Sequence, residues 1–189
     1  MLEKITERVS CGRLQAPAPS KAQMQKLFQA ALRAPDHKSL KPWEYIVFEG
    51  EQALNQLAQA YLEASLKENS DLDEAKKARI LSLPHRAPMV IVAVAKHRHH
   101  QKVPHLEEIL STGAGVQNLI LGAYDLGFGA YWRSGPLCFN PHLKALLQVS
   151  QEDTIVGFIY LGTPSVELKA KPIPEIGDFV RYGLDGIDG

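Results

Sequence analysis

The sequence predicts one layered domain of mixed helices and strands, of the α+β or α/β kind, over residues 1–189. Three features predict it. Amphipathic helical stripes open the chain, and strand-like runs then interleave with further helical segments. The run at 89–95 is almost continuously apolar and rich in valine, the pattern of a strand buried on both faces. No segment repeats.

Leu2, Ile5 and Val9 sit at helical spacing and predict a short first helix that ends before Cys11. The stretch Ala16-Pro17-Ala18-Pro19 is extended, because each proline disfavours helix in the residue before it. Ser20 and Gln23 stand at capping-box spacing, and Met24, Leu27, Phe28, Ala31 and Leu32 form one apolar face of a helix closed by Pro35. Residues 45–48 read as a strand stopped by Glu49-Gly50. Leu54, Leu57, Ala58, Tyr61 and Leu62 give the next helical stripe. Residues 69–79 are strongly charged and read as a solvated helix or a mobile excursion, and 96–103 as a polar loop.

Pro104 opens a long helix to about 126, with Gly127 placed as its C-terminal stop. Gly113-Ala114-Gly115 in its middle costs helix propensity, and close approach of another helix explains it. Residues 129–133 and 154–161 read as strands, and Asn140-Pro141 as the cap and first residue of a short helix. The tail from Ser165 carries Ile173, Ile176, Phe179 and Tyr182, with a short strand expected at 179–182. Those apolar residues need a surface, on this subunit or on a partner.

Lys plus Arg equals Asp plus Glu at 21 each, so nothing steers the chain globally towards nucleic acid or an acidic membrane, and any anion site is local. Two cysteines, Cys11 and Cys138, are too few for a disulfide framework. The N-terminus mixes charges without a signal-like apolar core, and the longest apolar run, 88–95, is too short to span a bilayer. The expected setting is the cytoplasm. No G-x-G-x-x-G joins a strand to a helix, and there is no P-loop and no G-x-S-x-G elbow. His97, His99, His100 and His105 lack the spacing of a zinc finger or of H-E-x-x-H. They read as a solvated loop, so no metal site is expected.

Two stretches carry chemistry. In Arg8-Val9-Ser10-Cys11-Gly12-Arg13, guanidinium forks flank a hydroxyl at a helix-to-loop junction, which suits a phosphate. In Arg33-Ala34-Pro35-Asp36-His37-Lys38-Ser39-Leu40-Lys41-Pro42-Trp43, a polar loop is held between a helix and a strand. These segments resemble the nitroreductase family, in a short-chain branch whose second motif reads A-P-D-H-K-S. Gly113 to Leu119, Gly127 to Gly135 and Val156 to Pro164 resemble that branch's central helix and two following strands.

The resemblance implies a nitroreductase-like fold, α+β, with a central, mostly antiparallel sheet flanked by helices. It implies an intertwined homodimer with one FMN in each of two interface clefts. Arg8, Val9 (through its backbone) and Ser10 would hold the flavin. Arg33 and His37 would reach it from the second loop, across the interface. Trp132, Arg133 and Ser134 would line its phosphate and ribityl side. Ala123, Tyr124, Asp125, Leu126, Gly127 and Phe128 would contact the donor, NADH or NADPH.

The chain departs from the family pattern at three places. Gly12 stands where a basic residue is common, leaving His37 as a substitute contact. Val9 replaces a second basic residue, and Lys41 replaces a polar amide. The implied activity is ping-pong transfer of hydride from the nicotinamide to a nitro-aromatic or related small molecule. The chemistry belongs to the flavin, so no catalytic side chain is assigned. Competing readings are a flavin enzyme with a non-nitro substrate, a non-catalytic FMN-binding or storage protein, and an interaction module without cofactor.

Overall fold

A computed structural model describes residues 2–183. Two strands organise it. β3 (Met89–Ala95) is buried at every position, as its valine run predicts. It pairs antiparallel with β2 (Trp43–Glu49) on one edge and with β5 (Thr154–Pro164) on the other. The far edge of β5 is shared. β4 (Gly129–Arg133) pairs along its middle, and the two-residue β1 (Leu14–Gln15) pairs at its end, both antiparallel. Every ladder is antiparallel, so the fold is α+β.

Because side chains alternate along a strand, β3 and β5 feed two cores. Met89, Ile91, Ala93, Ile159 and Leu161 face α2 (Lys21–Ala31) and α5 (His105–Asp125), where they meet Leu27, Val116 and Leu119. Val90, Val92, Val94, Phe158 and Tyr160 face α3 (Gly50–Glu68) and α7 (Pro141–Leu146), where they meet Leu57, Tyr61 and Leu143. Each such fully buried Val, Leu or Ile contributes about 1.5–3 kcal/mol of burial free energy. Two-sided burial of the central strands is therefore the main cohesive term.

Local signals set the helix ends. Ser20 and Gln23 form the reciprocal capping box of α2. α5 ends in a Schellman motif: the Gly127 N–H donates to Tyr124 O at 3.0 Å and the Phe128 N–H to Ala123 O at 2.9 Å. Gly127 sits at φ +84°, the left-handed conformation that motif requires. The charged stretch after α3 is an ordered helix, α4 (Glu74–Ser82), capped by the Asp73 carboxylate on the Lys76 N–H at 2.7 Å. None of its residues is buried, which is why it lacks an apolar stripe. The first helix, α1 (Leu2–Glu7), is shorter than its apolar spacing suggested. A four-residue α6 (Pro136–Phe139) had no periodic signal.

The expected strand at 179–182 is absent among the described residues; a 3-10 turn at Ile176–Asp178 precedes an irregular tail. Ile173 is 66 % exposed, Phe179 76 % and Tyr182 81 %, so the tail's apolar side chains find no cover among the described residues. Among the described residues no helix is long and apolar enough to cross a membrane.

The small-residue patch of α5 explains the close α2–α5 contact. A Cβ on Gly115 would lie 2.5 Å from the Tyr45 hydroxyl and 3.0 Å from the Ala31 carbonyl oxygen. The neighbour at 3.0 Å is backbone and cannot swing away. Gly115→Ala is therefore expected to lower stability by about 1–3 kcal/mol through overpacking, although alanine gains about 1 kcal/mol of helix propensity. A urea titration that showed a raised midpoint would contradict this packing.

Candidate functional site

The N-terminal loop and β4 are joined directly. The Cys11 N–H donates to Ala130 O at 2.9 Å, and the Ser165 N–H donates to Arg13 O at 3.0 Å. The loop holding Arg8, Val9 and Ser10 is thus anchored beside the strand holding Trp132 and Arg133, with Ser134 just past its end. Arg8 and Val9 are half-buried and Ser10 is exposed. Cys11 is buried and its thiol lies 3.3 Å from Arg13 O, a packing role rather than a nucleophile's.

Strand alternation turns Trp132 and Arg133 to opposite faces of β4, so their side chains do not form one continuous lining. The Trp132 indole N–H donates to Val156 O at 3.2 Å, and its ring rests over Gly157 and against Gly113 of α5. Neither glycine signals this from sequence, because the three segments are far apart in the chain. A side chain at Gly157 would collide with the indole, so the strand needs glycine there. Trp132 remains 37 % exposed, a broad apolar face held in a fixed plane.

On the other face, the Arg133 guanidinium lies 4.3 Å from the Tyr131 ring centroid and 5.4 Å from that of Tyr160. Both distances suit cation–π attraction. Burial holds the Tyr160 hydroxyl above the ordinary tyrosine pKa, against the opposing pull of the Arg133 cation. The guanidinium also comes within 3.9 Å of where a Gly12 Cβ would stand. Arg133 thus brings a positive charge beside position 12 from β4. The Arg133 Nε–H is buried with no partner among the described residues. An orphaned donor of this kind costs about 1–3 kcal/mol unless a ligand or water satisfies it.

The second loop is preformed. The Asp36 carboxylate accepts from the Leu40 N–H at 3.0 Å and the Lys41 N–H at 2.8 Å. Lys38, Ser39 and Lys41 all sit at positive φ, at 61°, 54° and 49°. Each such non-glycine residue costs about 1–3 kcal/mol, so the loop holds only because its surroundings fix it. The Ser111 hydroxyl of α5 donates to Pro35 O at 2.5 Å, and Arg98 donates to Lys41 O at 2.8 Å. His37 is exposed, with Nδ1 2.5 Å from Glu107 Oε2 in the first turn of α5. Glu107 lies 70 residues away in sequence, and nothing local in the chain announces that pairing. One stretch of α5 therefore supports both walls: Glu107 and Ser111 hold the His37 loop, and Gly113 seats Trp132.

Arg33 is exposed beyond the end of α2. With Lys4, Ile5, Asn118 and Asp125 it rims a surface groove of about 600 Å³ between α1, α2 and α5. Of the 123–128 segment, Ala123 is fully buried in the α2–α5 core, and Phe128 packs against that core. Asp125, Leu126 and Gly127 face solvent, and Lys4 stands 5.8 Å over the Tyr124 ring. A larger recess of about 870 Å³ along the outer face of α3 is lined by Glu51, Gln52, Asn55 and Glu63, with no cation and none of the residues singled out from sequence.

The fold agrees with comparisons to known proteins. The model of the Nitroreductase family matches residues 5–163. The chain is 39 % identical over 184 residues to YdjA of Escherichia coli (strain K12), which carries an NAD(P)H nitroreductase name, covering 96 % of this chain and 98 % of that one. The crystal structure of a nitroreductase-like family protein from Bacillus cereus superposes with a TM-score of 0.83 at 27 % identity, covering 97 % of this chain and 95 % of that one. A structure from Desulfovibrio desulfuricans, solved in complex with FMN, shares the fold at TM-score 0.74 and 18 % identity, with 96 % and 95 % covered. The chain belongs to the nitroreductase family.

Asp36→Ala removes the brace of the strained loop. It is expected to destabilise the loop by about 1.5–3 kcal/mol, the range for hydrogen bonds to a charged group. Amide exchange at residues 37–41 should accelerate while exchange in β3 stays unchanged. Equal protection in the variant would show that the carboxylate does not set this conformation.

Proposed function

We propose that the chain is an FMN-dependent oxidoreductase that takes hydride from NADH or NADPH and reduces nitro-aromatic or related small acceptors. In this reading the whole chain forms one flavin-binding domain and acts as a homodimer in the cytoplasm. The observation that carries it is the Cys11–Ala130 hydrogen bond, which brings Arg8, Val9 and Ser10 beside Trp132, Arg133 and Ser134. Those are the two segments whose residues match the family's flavin-holding motifs.

The residues present fit the cofactor. Arg8 and Ser10 offer a guanidinium fork and a hydroxyl for a phosphate. Arg133, on the face of β4 opposite Trp132, keeps a cation beside the N-terminal loop, with its buried Nε–H unpaired among the described residues. Trp132 offers a rigid apolar plane. FMN, when bound, supplies the centre that accepts hydride from the donor and passes electrons to the acceptor. The chain's own part is to orient that group and keep positive charge beside it. Arg133 and Arg33 do so as permanent cations. His37 is fixed by Glu107 and presents its second ring nitrogen outward. The exposed turn Tyr124–Gly127 is assigned to the donor, with Ala123 and Phe128 as its buried footing.

Exposed apolar residues support the homodimer. Leu106 and Leu110, each 64 % exposed, lie on the same face of α5 one turn apart. The uncovered tail adds further exposed apolar surface at Ile173, Phe179 and Tyr182. A self-complementary pairing would bury it twice.

The purified protein is expected to be yellow with an FMN spectrum, and anaerobic NADH or NADPH should bleach it. A chain that purifies colourless and takes up no FMN would overturn the assignment. Arg8→Ala should weaken FMN binding by about 1.5–3 kcal/mol, roughly 10- to 150-fold in Kd, through loss of a charge-assisted contact. An unchanged Kd would move the phosphate elsewhere.

A further inference from the structure

Away from the proposed flavin site, the end of β3, the first turn of α5 and the start of β5 meet in a seam rich in metal-ligating groups. His97 follows β3 by two residues, and His105 opens α5 three residues before Glu108. Both histidines are half-buried, and Glu108 is 1 % exposed. One ligand atom from each of the three lies within 4.8 Å of the other two. The His97 and His105 ring centroids are 4.6 Å apart. These are not the solvated loop histidines that their spacing suggested.

The surroundings are those a bound ion requires. Glu108 Oε1 accepts from the Arg98 N–H at 2.9 Å, and Oε2 lies 2.7 Å from His105 Nδ1. On the far side of the same ring, Nε2 lies 3.0 Å from Thr154 Oγ1. A metal-ligating imidazole characteristically presents one nitrogen to the ion while its other N–H is held by an oxygen. Thr154 is placed for that second role, and the Arg98 N–H holds the non-ligating oxygen of the carboxylate.

We propose that His97, His105 and Glu108 form a binding site for a zinc-class divalent ion. His105 Nδ1 and Glu108 Oε2 part to admit it, His97 supplies the third ligand, and water completes the tetrahedron. Two imidazoles and a carboxylate are a donor set that suits Zn²⁺, at about 2.0–2.2 Å from each ligand. The proton shared by Nδ1 and Oε2 leaves to solvent as the ion enters. Thr154 then holds the other ring nitrogen, Nε2. His99 is not a ligand: it is exposed and paired with Glu152 at 2.9 Å, although its ring stacks on that of His97 with centroids 4.1 Å apart. The ion would cross-link the end of β3 to α5 one residue from Glu107, the partner of His37, and so stiffen one wall of the proposed flavin site.

The test uses the full chain without an affinity tag, in the flavin state in which it is isolated. Zn²⁺ is titrated calorimetrically, and metal content is measured after desalting. One Zn²⁺ per chain is expected, with a Tm rise that EDTA reverses. His97→Ala should abolish saturable uptake, the double change His99→Ala with His100→Ala should leave it intact, and Thr154→Val should weaken it by about 10- to 100-fold. Circular dichroism checks that each variant folds, and Thr154→Val decides the outcome if His97→Ala does not fold. No saturable uptake by the wild-type chain would overturn the site. So would uptake lost with His99 and His100, or unaltered by both His97→Ala and Thr154→Val. The outcome is independent of the flavin assignment, since neither His97 nor Thr154 belongs to it.

Discussion

β5 forms hydrogen bonds along both edges, with β3 on one side and with β4 and then β1 on the other, while helices cover both its faces. A strand surrounded in this way offers no room for a ligand. The residues of the proposed site lie instead at the outer edge, where β4 runs beside the N-terminal loop and α5 packs against it. The Cys11–Ala130 hydrogen bond and the Trp132 indole over Gly113 and Gly157 follow from that placement. So does the division of labour on β4, whose alternate residues reach opposite faces of the sheet.

α5 ties the second loop to the same frame. Its first three turns carry Glu107, Ser111 and Gly113, each engaging a different part of the proposed site. The strained loop at 36–41 is then a consequence of fixed anchors: Asp36 supplies internal hydrogen bonds, and α5 and Arg98 hold the two ends. A loop already in place loses little entropy when a ligand arrives. Positive φ at three non-glycine residues is the energetic cost of that preorganisation.

Much of this was legible in the sequence where a local pattern decides the structure. The capping box at Ser20 and Gln23, the Asn140-Pro141 start of α7, the Gly127 stop of α5 and the doubly buried β3 all rest on neighbours within a few residues. Motif order pointed to the family, which the chain's match over 5–163 shows. What stayed hidden depends on long-range contact. Nothing near His37 names Glu107, nothing near Gly157 announces an indole, and nothing near Gly12 reveals the Arg133 guanidinium beside it. The histidine segment looked like a wet loop because the packing of the His97 ring against His105, which joins the end of β3 to the start of α5, is a tertiary fact. The 179–182 run has strand-like composition, but a strand also needs an edge, and within one chain it meets none among the described residues.

In the proposed dimer, Arg8 of one subunit and His37 of the other complete the same flavin site, and subunit mixing tests this directly. Arg8→Ala and His37→Ala chains, carrying separable tags, are co-refolded, and the mixed dimer is isolated at an FMN concentration that loads neither parent. By two-fold symmetry the mixed dimer has one doubly altered site and one unaltered site. It should therefore bind one FMN with wild-type affinity. A mixed dimer that binds no more FMN than its parents, or a chain that never pairs, would contradict the shared site.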